Sequence, residues 1–218
     1  GRETDVGFFR HWLDPTIPLA DSVFRSAHGV LVTSASLRDH GFKDTDDGWL
    51  NAESRIGVNH IISHKVRATH PSPFKHAENT VVLIIQDVDR NNANQVASAY
   101  RELFLAAGGG GLGLFTAIHR LRAVYDKIAR TLESQNLTLL AQHVDSLDIG
   151  SLIDIFRADE NSCLFGTDAV RDGIDVPGQS LRLIVFDRVP WPRPTLLHQA
   201  RKKAFGGRDY DEILTRLK

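Results

Sequence analysis

Small polar residues follow four separate runs of apolar residues, and their hydroxyl, amide and carboxyl groups are the best candidates for chemistry in this sequence. These polar groups stand at 33–36, Thr116, 142–143 and 167–168. Where a strand turns into a helix, hydroxyl groups and unpaired backbone amides can both donate hydrogen bonds to phosphate oxygens. Each threonine taken alone is equally consistent with a helix cap. Their shared position after apolar runs nevertheless predicts a phosphate-binding edge.

The densest group of such residues is the stretch 166–178, Gly-Thr-Asp-Ala-Val-Arg-Asp-Gly-Ile-Asp-Val-Pro-Gly. Thr167 has the chemistry to bind a phosphate group of a nucleic acid. Asp175 has the chemistry to accept a hydrogen bond from a ribose hydroxyl, or to hold the loop through backbone amides. The alternative is a surface turn with aspartate caps and turn glycines. On the first interpretation, one short loop is predicted to contact both a nucleic-acid phosphate and a nucleotide ribose.

The elements that must position these residues follow from hydrophobic periodicity. Short β-branched runs alternate with helical patterns, which predicts parallel strands joined by crossover helices. The predicted strands are 29–36, 80–86, 111–116, 138–142, 162–166 and 181–187. The predicted helices are 92–107 with Asn92 or Asn94 as cap, 117–135, 148–157, and a tail from Pro194 that breaks at Gly206 and Gly207, while 38–79 is predicted to be irregular. One wound α/β sheet with helices on both faces would place a ligand beyond the carboxyl ends of its strands.

Three other patterns favour structural explanations. The glycines at 108–111 precede a strand and no lysine follows them, so a helix-ending turn is predicted instead of a phosphate loop. His60 and His64 are four residues apart but lie in a region without helical periodicity, so no metal site is predicted. Cys163 lies within an apolar strand, which predicts a buried structural thiol.

Composition limits the classes of function. The 26 lysines and arginines nearly balance 27 acids, so any polyanion site must be local, and the segment from Arg182 to Lys218 has a clear excess of basic residues. A lone cysteine allows no internal disulfide and no four-cysteine iron–sulfur cluster within the chain. The lone cysteine predicts an intracellular, reducing compartment. Because no apolar run approaches the roughly 18 residues of a membrane helix, a soluble protein is expected. The absence of methionine predicts a piece of a longer protein.

The ordered pattern in 166–178 resembles motif V of superfamily 2 helicases, and further segments resemble the DinG-type, XPD-related branch of that superfamily. Val-Thr-Ser-Ala-Ser-Leu at 32–37 is similar to motif III, with Ser36 replacing the usual threonine. Leu-Gly-Leu-Phe-Thr at 112–116 is similar to motif IV. Ser-Pro-Phe at 72–74, the segment 188–194 and the opening segment 7–15 also look like this branch. The resemblance covers nearly the whole chain.

The resemblance implies a second RecA-like, P-loop NTPase-type domain over 29–218, with 1–28 leading into it and 29–70 near the seam with a first motor domain. It also implies two sets of site residues. Those implied in nucleotide binding and coupling are Ser34, Ala35, Ser36, Asp172, Gly173 and Asp175. Those implied in binding single-stranded DNA are Thr116, Thr167, Asp168 and Arg193.

The catalytic motifs of such a motor are missing from the sequence. It contains no Gly-x-x-x-x-Gly-Lys-[Ser/Thr] loop, no Asp-Glu-x-His motif and no arginine-finger helix. The resemblance therefore implies that ATP and Mg²⁺ are shared with an N-terminal motor domain of the same bacterial cytoplasmic protein, where an iron–sulfur cluster is also expected. The piece alone is expected to be inactive. The alternatives are a RecA-like docking or nucleic-acid-binding module without ATPase activity, and a helicase-fused nuclease, which would need clustered acids around a metal.

Overall fold

From Ala93 to Gly166, helices and strands alternate along the chain, whereas the described residues before Ala93 form helices and no strand. In the computed structural model, the described residues are 7, 10–38, 45–62, 64–167, 170, 174–189 and 195–204. The helices are α1 (Thr16–Leu19), which continues into a π-helical turn at Ala20–Phe24, α2 (Thr45–Ile56), α3 (His76–Asn79), α4 (Ala93–Ala107), α5 (Ile118–Glu133), α6 (Ile149–Ala158) and α7 (Leu196–Ala204). The strands are β1 (Gly111–Leu114), β2 (Thr138–Ala141), β3 (Ser162–Gly166) and β4 (Leu183–Phe186), and short 3-10 turns cover Val58–His60 and Gly178–Ser180.

The chain divides into two compact units. Unit 1 comprises 1–79 and 191–218, and unit 2 comprises 80–190. Unit 2 contains a four-stranded, all-parallel sheet with the strand order β2-β3-β1-β4. None of the described helices is both long enough and apolar enough to cross a membrane.

Unit 2 has the predicted three layers, because its strands bury alternate side chains on opposite faces. On one face, Cys163 and Phe165 pack with α4 and α5 in an aromatic-rich cluster. On the other face, Leu164 packs with Leu152 and Phe156 of α6. The sheet is thus covered by helices on both sides, as in RecA-like α/β domains, and the predicted fold class is confirmed.

Helix α5 shows how the sequence produces this packing. Leu121, Val124, Ile128 and Leu132 recur every three or four residues and are all buried against the sheet. Helix α4 begins at the predicted cap, where the Asn92 side chain accepts hydrogen bonds from the backbone amides of residues 94 and 95 at 3.0 and 3.3 Å.

Two glycines are required by the local geometry. Gly108 ends α4 with φ of 69°, a left-handed conformation, so the predicted helix-ending turn is confirmed. At Gly113 a Cβ would approach the Phe165 ring to 2.6 Å and the Tyr100 ring to 2.8 Å. Because no side chain fits between the strand and these rings, the aromatic cluster can close directly over β1.

Two of the predicted strands are wrong. Residues 29–36 and 80–86 form no strand, and their apolar side chains are exposed, with 88% exposure for Leu31 and 82% for Val81. A β-branched run becomes a strand only when a neighbouring strand pairs with its backbone and a packed surface covers its side chains. Within the described part of the chain, neither run has such a neighbour.

The prediction that 38–79 is irregular is also wrong in part, because α2 and α3 lie there. Helix α2 is held by contacts that are distant in sequence: the buried Glu53 carboxylate accepts a hydrogen bond from Arg67 Nε at 2.7 Å and one from Lys65 Nζ at 3.4 Å. The Arg67 hydrogen bond lowers the pKa of the Glu53 carboxyl. Helical periodicity alone does not reveal a helix stabilised in this way. The predicted break at Gly206 and Gly207 lies outside the described residues.

Candidate functional site

The carboxyl ends of the four parallel strands meet at one edge of unit 2. Phe115 and Thr116 follow β1, Gln142 follows β2, Thr167 follows β3 and Asp187 follows β4. The ends of β1 and β3 are in register, since Leu114 pairs with Gly166 and the Phe115 amide donates to the Gly166 carbonyl at 2.9 Å. The structure therefore brings Thr116 and Thr167 to the same edge, where open α/β sheets bind ligands.

At this edge, the Thr116 hydroxyl is available to bind a ligand. The residue is exposed, and its hydroxyl has no hydrogen-bond partner among the described residues. It does not cap α5, because the N-cap position is Ala117, which offers no side-chain hydrogen bond. The first turn of α5 thus begins beside Thr116 with no side chain capping its amides, and this end of a helix carries partial positive charge.

Thr167 is already engaged. Its backbone amide and its hydroxyl both donate to Gln142 Oε1, at 3.0 and 2.9 Å. These bonds tie the end of β3 to the end of β2. Because a phosphate oxygen can only accept, Thr167 could bind one through its hydroxyl only by releasing Gln142. The sequence analysis placed Gln142 at the end of a predicted strand but predicted no role for it.

A buried ion pair joins α5 to the end of β4, and no local sequence pattern predicts it. Arg120 donates to Asp187 from Nε at 2.8 Å and from its terminal nitrogen at 2.6 Å, and it also reaches the Arg90 carbonyl at 2.9 Å. The Asp187 side chain is 0% exposed and that of Arg120 is 17% exposed. The Asp187 hydrogen bond raises the pKa of Arg120, so the guanidinium remains charged.

Tyr100 lies behind this ion pair. Burial raises the pKa of its hydroxyl well above the ordinary value, and the Asp187 charge raises it further. The neutral hydroxyl donates to the Val185 carbonyl of β4 at 3.3 Å. This contact adds a second link between the helical layer and β4.

Arg188 supplies a cation directly after Asp187. One terminal nitrogen donates to Asn91 Oδ1 at 3.0 Å, while its buried Nε has no partner in the part of the chain that the structure describes. The carboxyl edge of unit 2 therefore combines a free hydroxyl, an uncapped helix terminus and a basic side chain. Each of these groups favours an anionic ligand.

The predicted nucleotide-binding residues that the structure describes belong to both units. Asp175 belongs to unit 2, its side chain is exposed, and its backbone carbonyl accepts hydrogen bonds from Arg157. Ser34, Ala35 and Ser36 belong to unit 1. Ser34 and Ala35 are exposed and Ser36 is half-buried, and the Ser36 amide donates to Ser34 Oγ at 3.2 Å. The remaining predicted site residues lie outside the described residues: Asp168, Asp172, Gly173 and Arg193.

Two further residues singled out in the sequence, Cys163 and His60, have structural surroundings. The Cys163 thiol is fully buried, as predicted, and burial raises its pKa to about 11. His60 lies in a 3-10 turn where its Nε2 is 2.9 Å from Thr16 Oγ1. Among the described residues, no three His, Cys, Asp or Glu side chains are grouped so as to hold a metal ion.

Known proteins resemble this chain in sequence. The family model described as helicase C-terminal domain matches residues 100–212. The chain is 34% identical over 150 residues to the ATP-dependent helicase DinG of Mycobacterium tuberculosis, a match that covers 66% of this chain and 22% of that protein. It is 27% identical over 209 residues to a Bacillus subtilis protein named 3'-5' exonuclease DinG, covering 92% of this chain and 22% of the relative.

A third relative is the ATP-dependent DNA helicase YoaA of Escherichia coli, which is 26% identical over 191 residues, covering 84% of this chain and 28% of the relative. The chain thus spans between about a fifth and about a quarter of the length of these curated relatives. No solved structure gives a significant match.

Proposed function

Because the chain belongs to the helicase C-terminal domain family, we propose that it is the second RecA-like motor module of an ATP-dependent DNA helicase related to DinG. The observation that carries this proposal is the carboxyl edge of unit 2. Thr116, the uncapped start of α5 and Arg188 present donors and positive charge there, on strand ends that the sheet holds in register. This combination suits the phosphate backbone of single-stranded DNA.

In this proposal the edge of the sheet contacts the phosphate backbone of the DNA and not the DNA bases. Hydroxyl groups, helix amides and arginines contact phosphates without reading sequence. Binding is therefore expected to weaken as salt rises and to show little preference among DNA sequences. Thr167 lies at the same edge and is assigned to this contact. Asp168 and Arg193 lie outside the described residues and remain predictions from the sequence.

The nucleotide side of the motor is assigned to Asp175 of unit 2. Asp172 and Gly173, which lie outside the described residues, and Ser34, Ala35 and Ser36 of unit 1 remain predictions from the sequence. Asp175 supports this assignment because its carboxylate is exposed while its backbone is fixed. The described residues contain no acidic cluster able to hold Mg²⁺. We therefore assign the metal and the attacking water to a first motor domain, and we assign to this chain the closing wall of the nucleotide cleft.

A nuclease is the second candidate, and it is favoured by the name of the Bacillus subtilis relative. Metal-dependent phosphodiester cleavage requires carboxylates that converge on one or two metal ions. Among the described residues such a group does not occur. We assign no nuclease step to this chain. A docking module without ATPase activity is the remaining alternative, and the following experiment separates it from the motor.

The test is ATP hydrolysis by the full-length protein that contains this chain, with and without single-stranded DNA. The Asp175→Ala variant should lose most of its DNA-stimulated turnover, by about a hundredfold if the carboxylate helps to align the nucleotide. Circular dichroism should show that the variant remains folded, because the Asp175 side chain is exposed. Folded wild-type protein without any ATPase activity would instead support the docking module.

A further inference from the structure

Arg157, in the last turn of α6, reaches across to the segment that carries Asp175. Its Nε donates to the Asp175 backbone carbonyl at 3.0 Å and a terminal nitrogen donates to the same oxygen at 2.8 Å. The two donors of the planar guanidinium thus converge on one carbonyl, which fixes the direction of the peptide group more firmly than one hydrogen bond would.

The same residue also holds the far end of this segment. The hydroxyl of Ser180, which is buried, donates to the Arg157 backbone carbonyl at 2.9 Å. Between these two anchor points, Val176 is buried against the α6 face of the sheet. Residues 175–180 are therefore attached to α6 at both ends, through the side chain and the main chain of one residue.

Charge helps to orient the Arg157 side chain. Its remaining terminal nitrogen forms an ion pair with Asp154 at 3.1 Å, one turn earlier on α6. The Arg157 side chain is 46% exposed and the Asp154 side chain is 74% exposed. Exposed pairs add little to global stability, so the consequence of the Arg157 contacts is local: they order the backbone beside Asp175.

We propose that Arg157 is a positioning residue for Asp175: it holds the 175–180 segment so that the Asp175 carboxylate faces the nucleotide, and this inference rests on the proposed motor function. Arg157 itself touches no ligand in this scheme. The Asp175 side chain remains exposed and free to bind, while the peptide group behind it is held in place. Loss of the guanidinium should therefore loosen the segment without unfolding unit 2.

Hydrogen–deuterium exchange of the full-length protein tests the structural half of the inference. In Arg157→Gln, peptides that cover 174–181 should exchange faster than in the wild type, while peptides from β1 and β3 should not change. Arg130→Gln is the matched control, because Arg130 is also an exposed arginine on a helix of unit 2. Unchanged exchange of 174–181 in Arg157→Gln would overturn the inference, whatever the enzymatic activity.

DNA-stimulated ATP hydrolysis tests the functional half. Arg157→Gln should lower kcat about tenfold, less than the roughly hundredfold loss expected for Asp175→Ala, because the carboxylate is still present but is held less firmly. The DNA concentration for half-maximal stimulation and the melting temperature should stay close to those of Arg130→Gln. Arg157→Lys, which can still donate to the carbonyl, should recover part of the activity.

The outcomes distinguish this inference from the function on which it rests. If the wild type shows DNA-stimulated turnover and Arg157→Gln matches it, the positioning role fails while the motor function stands. A fall in activity that is matched by a fall in melting temperature would mean a merely structural role and would also overturn the inference. Folded wild-type protein without turnover would overturn the motor function itself.

Discussion

Thr116 and Thr167 carry the same hydroxyl group but offer it differently to a ligand. Thr116 is exposed, and its hydroxyl has no hydrogen-bond partner among the described residues. The Thr167 hydroxyl, in contrast, donates a hydrogen bond to Gln142 Oε1, with 2.9 Å between the two oxygens. A phosphate oxygen can therefore accept from Thr116 without breaking an existing hydrogen bond. At Thr167 the new bond would replace an old one, so its net contribution is smaller. In the proposed DNA contact, Thr116 is the stronger of the two donors.

Replacing Thr116 by valine should weaken DNA binding selectively. In the full-length protein, the DNA concentration for half-maximal ATPase stimulation should rise at least about tenfold, the effect of one lost hydrogen bond to a charged group. The KM for ATP should not change. Thr131→Val, an exposed threonine in the last turn of the same helix, is the control. Equal effects of the two substitutions would contradict a phosphate contact at Thr116.

At the level of elements, α5 and β4 are joined by charge as well as by packing. Arg120 and Asp187 are separated by 67 residues, and their buried pair locks the first turn of α5 to the end of β4. Arg120 also holds the Arg90 carbonyl, just before α4 begins. The ion pair therefore fixes the position of the helix terminus beside Thr116. Breaking one partner of such a pair is costly because it leaves the other charge buried and unpaired.

Arg120→Ala should destabilise unit 2 by about 3 kcal/mol, which thermal unfolding followed by circular dichroism would measure. The doubly substituted Arg120→Ala/Asp187→Ala protein should recover part of this loss, since no unpaired charge then remains buried. Arg101→Ala is the control, because Arg101 pairs with the exposed Glu102 and should cost less than about 1 kcal/mol. If Arg120→Ala lowered the free energy of unfolding by no more than Arg101→Ala does, the ion pair would not be important for stability.

At the level of the whole molecule, the apolar cores are distributed unevenly. The entire described sheet and both hydrophobic clusters lie within unit 2, residues 80–190. Unit 1 buries few side chains among those described, with Ala20, Ala52 and Glu53 as examples. Since a domain needs its own core to fold alone, unit 2 meets that condition by itself.

Residues 80–190 expressed alone should fold, with a cooperative thermal transition. The sole cysteine of the chain, Cys163, provides a convenient probe, because it is fully buried with a thiol pKa raised to about 11. A thiol reagent at pH 8 should therefore label the peptide slowly in buffer and rapidly in denaturant, since the thiolate is the reactive form. Equally rapid labelling in both conditions would show that unit 2 does not fold independently.

Local patterns in the sequence determined much of this fold. The stripe from Leu121 to Leu132 predicted α5, Asn92 predicted the start of α4, and Gly108 predicted its end. The four strands of the sheet were predicted to within a few residues, and with them the edge that Thr116 and Thr167 share. These features depend on residues that are close in sequence, where side-chain period and backbone preference act directly.

Other features were decided only by the tertiary structure. The runs at 29–36 and 80–86 have the composition of strands, but strand formation requires a partner that the sequence pattern does not supply. The partners of Arg120 and Arg157 lie 67 and 18 residues away, and nothing in the local pattern marks them. The sequence by itself determined which polar residues follow the strands. Which of their groups are free, which are already bonded and what holds them in place depended on contacts between distant segments, because hydrogen bonds and ion pairs form only after packing brings the two partners together.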